Sequence, residues 1–374
     1  MQKIIIDDKI PFIKGVFDHL ADVKYLNGSD ISAENVRDAD AMIIRTRTRC
    51  DEKLLGGSTV KFIATATIGF DHIDTDFCEK RGISWTNAPG CNAASVQQYI
   101  AAALLFLQKS GKTDLSKSTI GIVGVGNVGK LVAEFCENIG MRVLLNDPPR
   151  QLAEQGIAGG ALSLSKCQAR NDEFVGLNDI AEQCDIITFH TPLNAETFHL
   201  ADSTFFEKVK RKPFIINSAR GEIVDTKAIK TAKKQQQISG IVLDCWENEP
   251  NIDLELLAMC DLATPHIAGY SADGKANATT ACVRFVSQKL GLGLDEWSVS
   301  EIPHPTQPLI TETSLQDAVL HTYNIEEDFL KLKNSPEKFE YFRNYYPLRR
   351  EFGAYFIDMS DALLERIGFK INSF

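Results

Sequence analysis

The segment Gly124-Val-Gly-Asn-Val-Gly129 constrains this chain most, because of what flanks it. An apolar run, Ile120–Val123, leads in, and a helical pattern leads out through Val128, Leu131, Val132, Phe135 and Cys136. A second apolar run, Val143–Leu145, then ends at Asp147. Strand, glycine turn, helix, strand and acid in that order make the βαβ fingerprint of a dinucleotide site. Gly124 would permit the tight turn, Gly126 would let the backbone approach a pyrophosphate, and Gly129 would let helix pack on strand. The helix start at Asn127 and Val128 would offer N–H donors and a positive dipole end to the phosphates. Asp147 would accept hydrogen bonds from ribose hydroxyls and repel a 2′-phosphate, so the expected cofactor is NAD.

A chain of 374 residues is long for one core, so two or three domains are expected. A hydrophobic fraction of 44% and a charged fraction of 24% are those of a soluble globular protein. The net charge of −10 argues against nucleic acid or an anionic membrane surface as partner. The longest strongly apolar stretch, Ile100–Leu107, is far short of the ~20 residues a membrane span needs. Nine cysteines show no CxxC pair and no zinc spacing, which excludes an evident metal site and reads as reduced thiols. With no signal-peptide pattern at the N-terminus, a cytoplasmic location is expected.

Short apolar runs at Lys3–Ile6, Ala41–Ile44, Lys61–Ala64 and Ile83–Trp85 read as buried parallel strands. Phe12–Leu20 has the apolar spacing of an amphipathic helix, and Asn92 is placed to cap a long helix through Gln108. A second series places strands near Ile120–Val123, Val143–Leu145, Ile186–Phe189, Phe214–Ile216, Ile241–Leu243 and Leu262–Ala263. Gln151–Asp172 reads as a loop, Ala272–Leu290 as a helix, and Glu301–Pro308 as a proline-rich linker. The aromatic-rich end of the chain reads as a small domain or an interface. The fold class expected is α/β: two doubly wound parallel-sheet domains with a cleft between them, plus a small C-terminal α+β domain.

Three titratable or charged residues share one address. Arg220 in Asn217–Gly221, Glu249 in Asp244–Pro250 and His266 in Thr264–Gly269 each follow a strand end, as the glycine turn does. In an open α/β sheet that edge binds ligands. Each residue alone reads more simply as a surface arginine, a loop acid (with Glu247 a nearby competitor) and a structural histidine. Their common position favours chemistry instead: oxidation of a 2-hydroxy acid, with His266 as base. Glu249 would orient the ring, and Arg220 would bind the carboxylate and polarise the C2 oxygen. His190 is expected to line the cofactor crevice, and His72 to sit in a turn. Thr67, in Ala64–Gly69, could hold a substrate carboxylate. Arg45, Arg47 and Arg49, if extended, would share one face and suit a phosphate-bearing substrate.

Together these motifs resemble the D-isomer-specific 2-hydroxyacid dehydrogenase family over nearly all of residues 1–290. Pro89–Ala93, Gly121–Gly129, Asp147–Pro149 and His266–Tyr270 carry the resemblance most specifically. It implies NAD-dependent oxidation of a phosphorylated hydroxy acid at C2 by Arg220, Glu249 and His266. Thr46, Thr67, Tyr270 and Arg45 would contact substrate. Gly124, Gly126, Asn127, Val128, Gly129, Asp147, Thr191, Ser218, Ala219, Arg220, Asp244 and Gly269 would hold NAD. The implied domains are a discontinuous substrate-binding domain (1–93 and 268–295), an NAD-binding domain (94–267) and a C-terminal dimerisation domain (296–374) of a homodimer. The alternatives are oxidation of phosphoglycerate, glycerate or lactate, or an NAD-sensing scaffold without turnover.

Overall fold

The computed structural model describes residues 1–154, 173–312, 314–358 and 361–372. Two compact units form: residues 1–92 with 271–304, and residues 93–270 with 305–374.

In the first unit, β1 (Lys3–Asp7), β2 (Asp22–Leu26), β3 (Ala41–Ile44), β4 (Phe62–Thr65) and β5 (Ser84–Thr86) form a parallel sheet in the order β2-β1-β3-β4-β5. β3 is buried along its whole length, and three of the four β4 residues are too, as parallel strands covered on both faces must be. The helix Ala272–Leu290 returns late in sequence to bury Cys282, Val283 and Val286 with Ile4, Ile6 and Phe17.

Phe12–Leu20 is not the expected helix but a run of turns. Phe12 and Gly15 both take left-handed backbone conformations (φ 63° and 86°), which a right-handed helix cannot contain. Ile13 and Phe17 are nonetheless buried, so the apolar spacing reported burial and not helicity. The short strand β2, half exposed with charged residues, escaped the hydrophobic pattern.

In the second unit, β6 (Thr119–Val123), β7 (Arg142–Asn146), β8 (Glu173–Phe174), β9 (Ile186–Phe189), β10 (Phe214–Asn217), β11 (Gly240–Leu243) and β12 (Leu262–Ala263) form a sheet ordered β12-β11-β10-β9-β6-β7-β8. Its pairs are parallel. The order reverses between β6 and β9, creating the switch point beyond whose carboxyl ends ligands bind. The apolar helix Ala93–Lys109 packs in this unit's core. Its expected cap is not made, because the Asn92 Oδ1 is buried without a hydrogen-bond partner among the described residues.

Beyond residue 304, helices Leu315–Thr322 and Ile325–Asn334 bury Val319, Ile325 and Leu332 in that same core. β13 (Leu309–Ile310), β14 (Phe356–Ile357) and β15 (Lys370–Ile371) make a small parallel sheet, so this segment mixes helix and strand. Of the expected loop Gln151–Asp172, residues up to 154 belong to the helix Pro148–Glu154, and the rest lies outside the described residues.

Candidate active site

The glycine turn sits at the switch point. Gly124 has φ 90°, and a Cβ there would lie 2.8 Å from the His190 carbonyl carbon and the Thr191 nitrogen. At Gly129 a Cβ would lie on the Gly124 carbonyl oxygen, so helix and turn touch backbone to backbone. At Gly126, which precedes the helix Asn127–Asn138, a Cβ would meet nothing within 4 Å. Two glycines are required by the protein's own backbone, and the third faces open space at a helix N-terminus, where an anion can approach.

Asp147 follows β7. Its Oδ2 accepts from the Val125 N–H at 2.7 Å and its Oδ1 from the Arg150 N–H at 3.1 Å, tying the acid to the turn. The Thr191 and Ser218 hydroxyl oxygens are buried without a hydrogen-bond partner among the described residues. Buried hydroxyls cost free energy unless paired, so unsatisfied ones just past β9 and β10, at the carboxyl edge of the sheet, fit a polar ligand. The donor set, the open Gly126 and these hydroxyls suit a dinucleotide.

His266 and Glu249 meet. The His266 Nδ1 lies 2.8 Å from Glu249 Oε2, while Glu249 Oε1 accepts from the Trp246 N–H at 2.9 Å. Burial alone would raise the Glu249 carboxyl, but the His266 hydrogen bond and charge, the Trp246 N–H and the Arg343 charge hold it below the usual range. The acid is therefore ionised, Nδ1 carries the ring proton, and Nε2 is the nitrogen able to accept one. Cys245 Sγ comes within 4.8 Å of the same groups. Burial, with the charges of Asp244 and Glu249, pushes its thiol well up, so it stays protonated and donates to the Ala219 carbonyl at 3.4 Å. The trio is an acid–base pair beside a neutral thiol.

Arg220 lies after β10, half-buried, with Nη1 donating to the Ala219 carbonyl at 2.8 Å. Asp244 is buried and accepts from the Thr264 hydroxyl (2.7 Å) and the Ile267 and Ala268 N–H groups (2.7 and 2.9 Å). It thus braces the loop that carries His266 and Gly269. Glu247 is drawn elsewhere, to His199 at 2.7 Å and the Thr226 N–H at 2.8 Å, which removes it as a rival to Glu249.

Sequence reasoning missed two arginines. Arg349 donates to the carbonyls of Ser95, Ile267 and Ala268, and Arg343 reaches both Glu249 and the Tyr270 hydroxyl. Both come from the aromatic C-terminal segment, where nothing in the local pattern marks them.

In the first unit, Thr46 is exposed and the Thr67 hydroxyl donates to the Gly69 carbonyl at 2.9 Å. The chain turns at residues 46–48, with the Thr48 N–H on the Arg45 carbonyl, so the expected extended alternation of Arg45, Arg47 and Arg49 does not occur. Arg45 binds the fully buried Asp7 carboxylate through Nε (3.1 Å) and Nη2 (3.2 Å), and Arg49 pairs with Asp51. His72 Nε2 lies 3.0 Å from the Thr65 hydroxyl, and His190 Nε2 lies 3.0 Å from the Thr188 hydroxyl.

Comparison with known proteins accords with this geometry. The sequence pattern of the D-isomer specific 2-hydroxyacid dehydrogenase NAD binding domain matches residues 96–268. An erythronate-4-phosphate dehydrogenase of Bacteroides fragilis is 49% identical over 358 residues, covering 94% of this chain and 98% of that one. One from Porphyromonas gingivalis is 40% identical over 363 residues, 94% of each chain. Among solved structures, D-lactate dehydrogenase of Aquifex aeolicus complexed with NAD and lactic acid superposes with a TM-score of 0.65 at 24% identity. It covers 79% of this chain and 97% of its own. The NAD-bound 3-phosphoglycerate dehydrogenase of Entamoeba histolytica gives 0.63 at 24% identity, with 81% and 99% covered. These structures share the fold. The chain belongs to the D-isomer-specific 2-hydroxyacid dehydrogenase family, beside relatives named erythronate-4-phosphate dehydrogenase.

Proposed function

We propose that this protein oxidises 4-phospho-D-erythronate at C2 with NAD, giving 2-oxo-3-hydroxy-4-phosphobutanoate, a step toward pyridoxal phosphate. The observation that carries the chemistry is the 2.8 Å contact between His266 Nδ1 and ionised Glu249, which leaves Nε2 to act as base. NAD supplies the hydride acceptor. His266 Nε2 takes the C2 hydroxyl proton as the C2 hydride departs, and Glu249 stabilises the imidazolium so formed. Arg220 offers a fixed planar charge to the substrate carboxylate and C2 oxygen. The substrate name comes from the relatives that are 40–49% identical over nearly the whole chain.

Residues 93–270 are assigned to NAD, with Gly124, Gly126, Asn127, Val128, Gly129, Asp147, Thr191, Ser218, Ala219, Asp244 and Gly269 as its site. Residues 1–92 and 271–304 are assigned to substrate, through Thr46 and Thr67, and Tyr270 is assigned as a substrate contact as well. Arg45 enters this set only by exchanging Asp7 for the ligand. No helix among the described residues is long and apolar enough to cross a membrane. The exposed Leu330, Tyr341 and Tyr345 of the C-terminal segment support a homodimer, which sedimentation equilibrium tests.

The deciding assay follows NAD reduction with 4-phosphoerythronate beside erythronate, 3-phosphoglycerate and D-lactate, with a 2-oxo acid present to recycle retained cofactor. Preference for 4-phosphoerythronate is expected. Turnover only with another acid discards this substrate, and none with any acid discards dehydrogenase function.

A further inference from the structure

The acid–base pair has a third member that lies outside the family's matched residues. Glu249 and His266 fall within 96–268, whereas Arg343 comes from the short helix Phe339–Asn344 far along the chain. Its Nη1 stands 3.5 Å from Glu249 Oε2, the same oxygen that receives His266 Nδ1 at 2.8 Å. Its Nε stands 3.4 Å from the Tyr270 hydroxyl, and its side chain is only 25% exposed.

The remaining charges around this point are accounted for. Asp244 spends its carboxylate on Thr264, Ile267 and Ala268, and Arg349 spends its guanidinium on the carbonyls of Ile267 and Ala268. The Cys245 thiol is neutral, and Arg220 is the other cation near it. Arg343 is therefore the cation that shares an oxygen with the catalytic imidazole.

We propose that Arg343 is a positioning residue of the acid–base pair: by sharing Glu249 Oε2 with His266 and holding Tyr270, it limits how strongly Glu249 favours the imidazolium. A carboxylate alone beside an imidazole stabilises its protonated form. Oxidation of an alcohol needs the neutral form at the outset. A second cation on the same oxygen moderates the carboxylate's pull, and in a partly buried site that charge is felt across several ångströms. Glu249 can then orient the ring without filling Nε2 with a proton beforehand. This inference rests on the reading of His266 as base.

The test compares wild type with Arg343→Gln, Arg343→Met and Arg343→Lys. In oxidation of 4-phosphoerythronate, the acid limb of the kcat/KM profile is expected to move up by about one pH unit in the Gln and Met variants. Lys, which keeps the charge, should restore most of the wild-type profile. The two neutral variants share the prediction, so misfolding of one leaves the other. In parallel, the His266 imidazole, identified by its loss in His266→Gln, is titrated by NMR without substrate, and its midpoint should rise in the neutral variants. An unshifted limb with KM raised for the phosphorylated substrate alone would make Arg343 a ligand contact and overturn the proposal. An unmoved or lowered imidazole midpoint would overturn it too. Should wild type turn over no hydroxy acid, the functional reading falls, while the titration still decides the role of Arg343.

Discussion

Asp244 and Arg349 grip the same two residues from opposite sides. The Asp244 carboxylate accepts the N–H groups of Ile267 and Ala268, and the Arg349 guanidinium donates to their carbonyls. Both side chains are buried, and Arg349 also reaches Gln98 Oε1, the Ser95 carbonyl and the Tyr346 hydroxyl. The residue just before this clamp is His266, held at φ 58°, a left-handed conformation that costs a non-glycine residue of the order of 1–3 kcal/mol. The clamp supplies what that conformation needs: neighbouring peptides with no freedom to relax.

Arg349→Met should therefore do more than remove a charge. It strands the carbonyls of Ser95, Ile267 and Ala268 in the core, with a loss of about 3 kcal/mol in urea unfolding. kcat should fall as well, because His266 loses its fixed direction. A stability loss under 0.5 kcal/mol would mean that the carbonyls find other partners.

His266→Ala should leave NADH binding, read by nicotinamide fluorescence, close to wild type while turnover drops by about 10²-fold or more. Glu249→Gln should lie between the two, since the amide can still orient Nδ1–H but cannot stabilise the imidazolium. Turnover retained in His266→Ala would assign the base elsewhere.

The three turn glycines should respond differently. Gly129→Ala places a methyl on the Gly124 carbonyl oxygen and should cost both stability and NAD binding. Gly126→Ala meets no protein atom within 4 Å, so the melting temperature should hold while NAD affinity falls. Isothermal titration beside thermal unfolding separates the two effects. Unchanged NAD affinity in Gly126→Ala would move the pyrophosphate away from this turn.

Acid should weaken the fold before its carboxylates titrate. Burial pushes His72 down to about 4, against the raising charge of Asp71, and pushes His190 down to about 3. Both stay neutral in the folded chain where the unfolded chain, with ordinary imidazoles near 6.5, takes up protons. Stability is then highest above about pH 6.5 and falls as pH drops toward 4 and below, by up to about 2 kcal/mol per histidine at pH 5. Urea midpoints at pH 7.5 and 5.0 measure this, and His190→Gln should flatten the slope. An equal slope in that variant would mean that His190 is protonated in the folded state.

Much of this protein was legible because its information is local. The glycine turn, the apolar runs of β6, β9, β10 and β11, and the placing of Arg220, Glu249 and His266 after strand ends depend on stretches of a few residues. Periodicity and backbone freedom leave direct marks there. Failure came where burial was read as helicity, at Phe12–Leu20, and where an arginine run was read apart from its acid, since Asp7 is 38 residues from Arg45.

The sequence by itself determined the parallel α/β architecture and the strand-end addresses of the chemistry, because hydrophobic pattern and glycine spacing dictate both. Only the tertiary structure decided that Glu249 and not Glu247 meets His266, and that Arg343 and Arg349 of the C-terminal segment reach the His266 loop. Those pairings join residues as many as 94 positions apart, and a single charged side chain leaves no periodic trace of the partner that folding brings to it.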